Sequence, residues 1–275
     1  MDPYIFQKAT FFQVNSPLLA YARNVESQNG EDGILERIFE IIPAKRNFCV
    51  EFGAWDGRKL SNTFNLIENH GWQGLFIEAN AQKYEALLNN HGENPKVDCL
   101  HEFVEFDGPK SLERLMQQQN VPVDFDVLSI DVDGTDYFIW ESLQSFKPRV
   151  VIIEFNFSIP NDVVFVQAKD NYLNQGCSLL ALVLLGKQKG YELICCTMCN
   201  AIFILSESYS ELQIPSNSIW HLYMPPMDGR IFHGYDGTVF VQGMDLLWWQ
   251  NINLSHDDFQ VLPKSARKFG DAQSG

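Results

Sequence analysis

Basic residues are scarce in this chain of 275 residues, which has 20 lysines and arginines against 35 aspartates and glutamates and a net charge of −15. A chain this acidic repels polyanions, so nucleic acid and an anionic membrane surface are excluded as main partners. Long apolar runs are also missing, and the longest, residues 179–185, is far too short to span a bilayer. No secretory signal is visible at the start, so we expect a cytoplasmic protein.

Cysteine is present, but not in the spacing of a metal site or a disulfide framework. The six cysteines lie mostly inside apolar stretches, and the close pair Cys196 and Cys199 has no second pair at ligand spacing. We therefore expect reduced thiols that pack as small apolar side chains. The composition that remains, 45% hydrophobic and 13% aromatic, is that of a globular protein long enough for one large domain.

Apolar runs and helical segments alternate along residues 27–205. This alternation predicts an α/β fold with a mostly parallel sheet of about seven strands and helices on both faces. The predicted strands are 46–52, 74–78, 97–104, 125–130, 149–154, 191–196 and 201–205, and the predicted helices are 34–42, 59–70, 80–90, 110–119, 137–143 and 178–189. We treat residues 27–205 as one domain and residues 1–26 as an N-terminal segment without an assigned structure.

The tail after residue 206 breaks this alternation. Residues 206–275 are rich in proline, aromatic residues and short polar turns, which is more than a plain linker needs. We interpret this irregular C-terminal extension as a lid that closes over the carboxyl edge of the sheet and keeps water from a reaction. An interface between two copies of the chain is the alternative, so a homo-oligomer stays open.

The most informative stretch follows the first predicted strand. Glu51 ends an apolar run, and Gly53 and Gly57 follow it in the pattern Glu-x-Gly-x-x-x-Gly. Glycines let the backbone approach a ligand closely, and the preceding carboxylate suits a cationic ligand better than a pyrophosphate. The pattern resembles the first motif of methyltransferases that use S-adenosylmethionine, a ligand with an amino group and a sulfonium.

Acidic residues stand at or just past the ends of the predicted parallel strands. They are Glu51, Glu78, Asp107, Asp131 and Glu154. Ligands of such sheets bind at the carboxyl ends of the strands, so these acids are expected to meet there. Glu78 lies about 20 residues after Gly57, where nucleotide-binding α/β folds place an acid that accepts hydrogen bonds from two ribose hydroxyls.

Five longer stretches carry a wider resemblance: Ser27-Gln-Asn-Gly-Glu-Asp, Val50-Glu-Phe-Gly-Ala-Trp-Asp-Gly with Ser61-Asn-Thr63, Trp72-Gln-Gly-Leu-Phe-Ile-Glu-Ala-Asn80, Ser129-Ile-Asp-Val-Asp-Gly134 and Val151-Ile-Ile-Glu-Phe-Asn156. Together they resemble FkbM-type methyltransferases, over about residues 27–205. The resemblance implies a Rossmann-like methyltransferase sheet and methyl transfer to an oxygen of a small molecule or glycan.

The same resemblance implies roles for individual residues. Glu51, Gly53 and Gly57 would hold the methionine part of S-adenosylmethionine, and Glu78 would hold the ribose. We assign four further residues to the cofactor pocket: Gln28, Ser61, Asn80 and Asp107. The Gln28 segment, with Glu31 and Asp32, has the alternative role of a plain helix cap.

Two strands end in more oxygen ligands than the family pattern needs. Asp131 is followed by Asp133 and Asp136, and Glu154 is followed by Asn156. Neighbouring strands lie about 5 Å apart, so Asp131, Glu154 and Asn156 can share one hard cation such as Mg²⁺. Such an ion would lower the pKa of an acceptor hydroxyl and orient it, and catechol-type methyltransferases have a similar arrangement. Alternatively, Asp133 and Asp136 only cap the following helix.

We therefore predict an enzyme that transfers a methyl group from S-adenosylmethionine to an oxygen, with Asp131 and Asp133 as catalytic residues. One alternative is a binding protein that keeps the fold without turnover. Another is a Mg-dependent phosphatase, because residues 131–135 match the Asp-x-Asp-Gly-Thr motif of haloacid-dehalogenase-type enzymes. The phosphatase interpretation is weaker, since Asp257 and Asp258 follow no apolar strand and the motif does not open the domain.

Overall fold

The computed structural model describes residues 15–225, 229–247 and 250–268. The chain divides into two compact units, and the division falls between Met224 and Pro225. The first unit contains a large sheet with its helices, and the second contains two short pairs of strands. The predicted N-terminal segment is therefore described only from residue 15, where a 3-10 helix spans Pro17–Tyr21.

Seven strands form the central sheet: β1 (Phe48–Phe52), β2 (Gln73–Glu78), β3 (Val97–His101), β4 (Val127–Ile130), β5 (Val150–Glu154), β6 (Tyr191–Cys196) and β7 (Asn200–Leu205). Their spatial order is β3-β2-β1-β4-β5-β7-β6. All neighbours are parallel except β7, which runs antiparallel to both β5 and β6. This strand order, with one antiparallel strand, is that of a Rossmann-like sheet, and the predicted fold class is confirmed.

Seven α-helices accompany the sheet: α1 (Glu31–Ile41), α2 (Phe64–Glu68), α3 (Ala81–His91), α4 (Leu112–Gln118), α5 (Asp136–Ser142), α6 (Leu179–Lys189) and α7 (Ile219–Leu222). The strand order reverses between β1 and β4. Because crossovers between parallel strands are right-handed as a rule, the helices on the two sides of this point cover opposite faces. No helix among the described residues is long and apolar enough to cross a membrane.

The core lies on both faces of the central strands. Every residue of β1 and β4 is buried, as expected for strands covered by helices on both sides. Trp140 of α5 is fully buried and packs against Phe203 of β7, with ring centres 5.0 Å apart. The apolar runs of the sequence thus become the inner strands, which fix where each strand ends.

Helix starts are set by side-chain caps close to the strand ends. Asn80 follows β2 and accepts hydrogen bonds from the backbone N–H groups of Gln82 and Lys83, at 3.0 and 3.1 Å. Ser178 caps α6 through the N–H of Ala181, at 3.2 Å. The cap at Asn80 fixes the direction in which α3 leaves the carboxyl edge of the sheet.

Some predicted boundaries differ from the structure. The predicted helix 59–70 is confined to Phe64–Glu68, because the residues before it form hydrogen bonds with Glu51. Strand β3 ends at His101 instead of residue 104, so Asp107 lies in an exposed loop six residues farther on. Asp107 therefore does not stand at the end of a strand.

Residues up to Met224 of the predicted extension belong to the first unit. They begin at the amino edge of the sheet, where Leu205 donates its N–H to the carbonyl of Arg149, at 3.0 Å. They end at the carboxyl edge, where the Tyr223 hydroxyl donates to the carbonyl of Met198, at 3.2 Å. The predicted lid or interface role of the extension stays a prediction.

Among its described residues, the second unit has two short pairs of strands and two 3-10 helices. Strands β8 (Arg230–His233) and β9 (Val239–Gln242) pair antiparallel, as do β10 (Leu246–Leu247) and β11 (Ile252–Asn253). Within this unit Phe232 stacks on Phe240 with ring centres 5.3 Å apart. Asp258 caps the 3-10 helix His256–Phe259 through Ser255, which accounts for this acid without catalysis.

Candidate active site

The carboxyl ends of β1 and β4 meet where the strand order reverses, which is where open α/β sheets bind ligands. Gly53 lies there with φ of 74°, and its N–H donates to the carbonyl of Ile77 in β2, at 3.1 Å. A Cβ atom at Gly53 would stand 1.7 Å from the carbonyl oxygen of Asp131. Glycine is therefore required here by the close contact with the end of β4 as well as by the backbone angle.

Glu51 is buried at the end of β1 and receives three hydrogen bonds from the loop that follows the glycine turn. Its Oε2 accepts from the hydroxyls of Ser61 and Thr63, at 2.6 and 2.5 Å, and its Oε1 accepts from the N–H of Asn62, at 3.1 Å. Burial raises the pKa of Glu51, and these donors oppose that effect. Ser61 is thereby placed beside Glu51, and its hydroxyl also accepts from Phe64 at the start of α2.

Glu78 is buried at the end of β2 and holds the glycine turn by its backbone. Its Oε2 accepts from the N–H of Trp55, at 2.9 Å, and its Oε1 accepts from the N–H of Asn80, at 2.7 Å. A carboxylate offers about four acceptor positions, two on each oxygen. One position on each oxygen thus stays open to two further donors, such as the hydroxyls of a vicinal diol.

Helix α3 fastens the second half of the glycine turn. His91 is buried, and its Nε2 lies 2.9 Å from the carbonyl oxygen of Gly57, while Asn90 donates to the carbonyl of Asp56, at 2.8 Å. A Cβ atom at Gly57 would lie 2.6 Å from the His91 ring. Both glycines of the predicted motif therefore face protein atoms, and the turn is pinned between β4 and α3.

Three carboxyl groups crowd together past the ends of β4 and β5. Asp131, Asp133 and Glu154 each offer an oxygen, and these oxygens all lie within 4.8 Å of one another. Surrounding protein and the neighbouring acids raise the pKa of Asp131 to about 7 and that of Glu154 to about 9. A carboxyl with a pKa near 7 exists in both forms at neutral pH, as a general base requires.

The neighbouring polar residues Asp136 and Asn156 form hydrogen bonds within the loops that contain them. Asp136 is buried and accepts from the N–H groups of Val132 and Gly134, at 2.9 and 3.0 Å, in the loop before α5. The cap residue of α5 is Thr135, and no described side chain caps the helix, so these bonds are not the helix cap of the capping alternative. Asn156 donates to the carbonyl of Gln175, at 2.9 Å, and its Oδ1 accepts from Ser158. The carboxyl oxygens that the structure brings together belong to Asp131, Asp133 and Glu154, and the Asn156 amide is used in its own loop. The metal set predicted from the sequence, with Asn156 as a ligand, stays a prediction.

The segment before α1 is held by buried acids. Asp32 accepts through Oδ2 from the N–H groups of residues 25–27, at 2.7 to 3.0 Å. Glu31 accepts from the Thr197 hydroxyl and the Asn200 amide in the β6–β7 turn, at 2.7 and 3.0 Å. Gln28 is exposed, and its carbonyl accepts from Asn24. The two acids thus tie this segment to the carboxyl edge, and Gln28 itself makes no side-chain contact that assigns it a role.

Sequence reasoning missed three residues beside Glu78. Trp55, in the glycine turn, has a ring that is 37% exposed. The ammonium groups of Lys59 and Lys83 each lie 4.4 Å from the centre of that ring. Both lysines lie close in sequence to predicted site residues, Lys59 two residues after Gly57 and Lys83 five residues after Glu78. The spacing alone did not show that both ammonium groups reach one indole.

Comparison with known proteins gives remote structural similarities only. No family model and no curated protein matches the sequence. Among solved structures, the chain is similar to the CMeT domain of the citrinin polyketide synthase, at 11% identity and a TM-score of 0.42 over 64% of this chain and 51% of that one. It is also similar to a SAM-dependent methyltransferase from Aquifex aeolicus, at 12% identity and 0.38 over 74% and 97%.

A third similar structure is an O-methyltransferase family protein from Burkholderia thailandensis, at 11% identity and a TM-score of 0.39 over 60% of this chain and 51% of that one. The chain thus spans about half the length of two of these three proteins. The similar structures include C- and O-methyltransferases. Similarities this remote carry no argument about activity.

Proposed function

We propose that this chain is a methyltransferase that uses S-adenosylmethionine and methylates an oxygen of a small molecule or glycan, as FkbM-type enzymes do. The observation that carries the proposal is the hydrogen bonding of the Glu78 carboxylate. This buried carboxylate ends β2 beside the glycine turn and keeps one acceptor position free on each oxygen. That is the requirement for binding the two ribose hydroxyls of a nucleoside, and the sheet is of the methyltransferase type.

Glu51 fits a more limited part of the proposal. Three of its roughly four acceptor positions are filled by Ser61, Asn62 and Thr63, so one remains for the cationic methionine part of the cofactor. Its main effect is to hold the loop that leads into α2. Gln28 and Asp107 keep their proposed place in the pocket without a contact that supports it.

In this proposal the cofactor supplies a methyl group that is already activated by its sulfonium. The protein has to align the acceptor oxygen with that methyl and remove the proton of the acceptor hydroxyl. Asp131 suits the second task, because its pKa of about 7 leaves an ionised fraction at neutral pH. Asp133, which crowds Asp131, helps to set that pKa.

The second part of the proposal is a divalent cation such as Mg²⁺ bound by Asp131, Asp133 and Glu154. Three carboxyl oxygens within 4.8 Å of one another are a donor set that hard cations prefer, and the charge of the ion would relieve the repulsion among the acids. The ion would polarise the acceptor hydroxyl. The cofactor part of the proposal does not depend on it.

Calorimetric titration with S-adenosylmethionine tests the cofactor part. Glu78→Gln should weaken binding by about 1 to 3 kcal/mol, because the amide cannot accept from two hydroxyls as the carboxylate does. Glu85→Gln is the matched control, since Glu85 is an exposed acid on α3. Equal affinity of a folded Glu78→Gln variant and the parent chain would remove Glu78 from the site.

A transfer assay with labelled methyl groups separates an enzyme from a binding protein on the same fold. Methylation of any oxygen in a panel of glycans and hydroxylated small molecules supports the enzyme, and tight cofactor binding without transfer supports the binding protein. Chelation by EDTA should abolish transfer and leave cofactor affinity nearly intact if the cation is required. Full activity after chelation would show that no cation is required, and Asp131 would then act as a general base only.

The remaining predicted properties stay proposals. We propose that the chain acts in the cytoplasm, which the six free thiols favour because disulfides are rare in reducing compartments. The net charge of −15 argues against nucleic acid and anionic membranes as partners. A homo-oligomer is a further proposal, and sedimentation of the purified chain would test it.

A further inference from the structure

The proposed methyl transfer makes no use of Trp55, Lys59 or Lys83. Each ammonium group lies 4.4 Å from the centre of the Trp55 ring, so the two charges stand within about 9 Å of each other. Cation–π contacts hold an ammonium group in position without neutralising it. We call these three residues the lysine–indole patch.

Among the described residues, the two ammonium groups form no ion pair, whereas six other lysines and arginines pair with carboxylates: Arg23, Arg37, Arg46, Arg58, Lys110 and Lys187. Within the described parts of the chain, no carboxylate lies within the ion-pair distance of 4.0 Å from Lys59 or Lys83. In a chain of net charge −15, two neighbouring cations without ion pairs are open to an external anion.

The patch lies beside the proposed cofactor acid. The backbone N–H of Trp55 donates to Glu78, at 2.9 Å, and Lys83 belongs to α3, which begins three residues after Glu78. Trp55 also follows Gly53 by two residues, and a Cβ atom at Gly53 would stand 1.7 Å from the carbonyl oxygen of Asp131. Lys83 is close enough to Asp131 for its charge to oppose the rise of that carboxyl's pKa. An anion held by the lysines would therefore be near both groups.

We propose that the lysine–indole patch binds an oxyanion of the methyl acceptor, a carboxylate, phosphate or sulfate, and so directs the acceptor hydroxyl toward Asp131. The acidic chain repels anions elsewhere, so a local pair of cations is what would admit an anionic acceptor. The identification of the ligand as the acceptor rests on the proposed methyl transfer. Binding of an oxyanion to the patch does not.

The test compares two probes that differ only in charge, 4-hydroxybenzoate and its neutral analogue 4-hydroxybenzamide. Binding to the full chain is followed by calorimetry and by the indole N–H signal of Trp55, assigned with Trp55→Phe. The anion should bind at least tenfold more tightly than the amide and shift the Trp55 signal. The double variant Lys59→Gln/Lys83→Gln should lose that preference, whereas Lys45→Gln, an exposed lysine before β1, should keep it.

Other outcomes overturn the proposal. Equal binding of the two probes, or no binding of the anion, would show that the patch selects no oxyanion. A loss of S-adenosylmethionine affinity in the double variant as large as the loss of anion affinity would assign the lysines to the cofactor's own carboxylate. The variant Lys59→Arg/Lys83→Arg keeps both charges and should retain anion binding, which separates lost charge from altered folding. Anion binding without any methyl transfer would count against the proposed function alone.

Discussion

Acidic residues at the two edges of the central sheet have opposite surroundings. At the amino edge, Asp126 precedes β4, and its carboxylate accepts from the N–H groups of Lys45 and Arg46, at 2.7 and 2.8 Å, and more weakly from Phe48. At the carboxyl edge, Asp131 and Glu154 face other carboxyls, and their pKa values are raised to about 7 and about 9. The same residue type is satisfied at one end of β4 and crowded at the other.

This difference separates stability from function. A carboxylate that accepts backbone N–H groups fixes the chain locally and stabilises the fold. Carboxyls that repel one another destabilise the folded state at the pH where both are ionised, and they persist where a site uses their altered pKa. The amino edge is therefore expected to respond to mutation by unfolding, and the carboxyl edge by a change in binding or titration.

The largest expected effect is at the amino edge. Asp126→Ala leaves the N–H groups of Lys45, Arg46 and Phe48 without their buried acceptor, so the free energy of unfolding should fall by about 3 kcal/mol. Urea denaturation followed by fluorescence measures this change. Asp124→Ala, which removes an exposed ion pair with Arg46, should change stability little. Equal losses of stability in the two variants would show that the buried Asp126 carboxylate contributes no more to stability than the exposed ion pair.

A second prediction concerns the dependence of stability on pH at the carboxyl edge. Asp131 and Glu154 bind protons more tightly in the folded chain than in the unfolded chain, where the pKa is about 4. Stability is therefore lost as the pH rises from about 4 toward about 7 for Asp131 and toward about 9 for Glu154. Solvent screening at the accessible Asp131 limits the total to about 1 to 2 kcal/mol.

The measurement is urea denaturation between these pH limits in the presence of EDTA. Asp131→Asn and Glu154→Gln should each reduce the loss of stability with pH, because the substituted amides do not titrate. Asp124→Asn is the control, since that exposed acid has a lowered pKa and stays ionised throughout the range. A loss with pH that is unchanged in both carboxyl-edge variants would contradict the crowded arrangement.

The smallest expected effect concerns His91, which supports the glycine turn. His91→Phe removes the hydrogen bond to the Gly57 carbonyl, but it also removes Nδ1, which is buried without a hydrogen-bond partner among the described residues and lies 3.6 Å from a carboxylate oxygen of Glu68. These changes offset each other, so stability should change by less than about 1 kcal/mol. Cofactor affinity should fall a few-fold, because the turn loses one anchor, and His70→Phe at an exposed site should leave it unchanged. A large loss of stability would instead show that His91 and the glycine turn stabilise the fold, as Asp126 does at the amino edge.

The sheet could be predicted from the sequence because each inner strand is a short apolar run between helical segments. The antiparallel direction of β7 depends on which strands pair in the folded chain, and local sequence patterns do not contain that information. The end of β3 was predicted too late, because the apolar residues near 103 and 104 continue the pattern of the strand after its pairing with β2 has ended. Residues 206–224 show no periodicity, so their path from one edge of the sheet to the other was not predictable.

In the candidate site, spacing predicted that Glu78 ends a strand, as it does, because an acid at a strand end depends only on chain order. Its cofactor role stays a prediction. Side-chain partners were less predictable. Nothing in the spacing shows that the hydroxyls of Ser61 and Thr63 donate hydrogen bonds to Glu51, or that the Asn156 amide donates to a carbonyl of its own loop. Such choices depend on which donors the folded loops bring within about 3 Å, and one sequence does not contain that distance.

The contact of Glu31 with the β6–β7 turn has a consequence for the order in which the chain folds. Its carboxylate is satisfied by Thr197 and Asn200, which lie 166 and 169 residues later in the sequence. While the chain emerges from the ribosome, α1 has no such partner until the last hairpin of the sheet has been synthesised. Contacts so distant in sequence form late, since the loop between them must close first. The wall of the site beside α1 is therefore expected to be completed at the end of folding, after β1 and β2 have already paired.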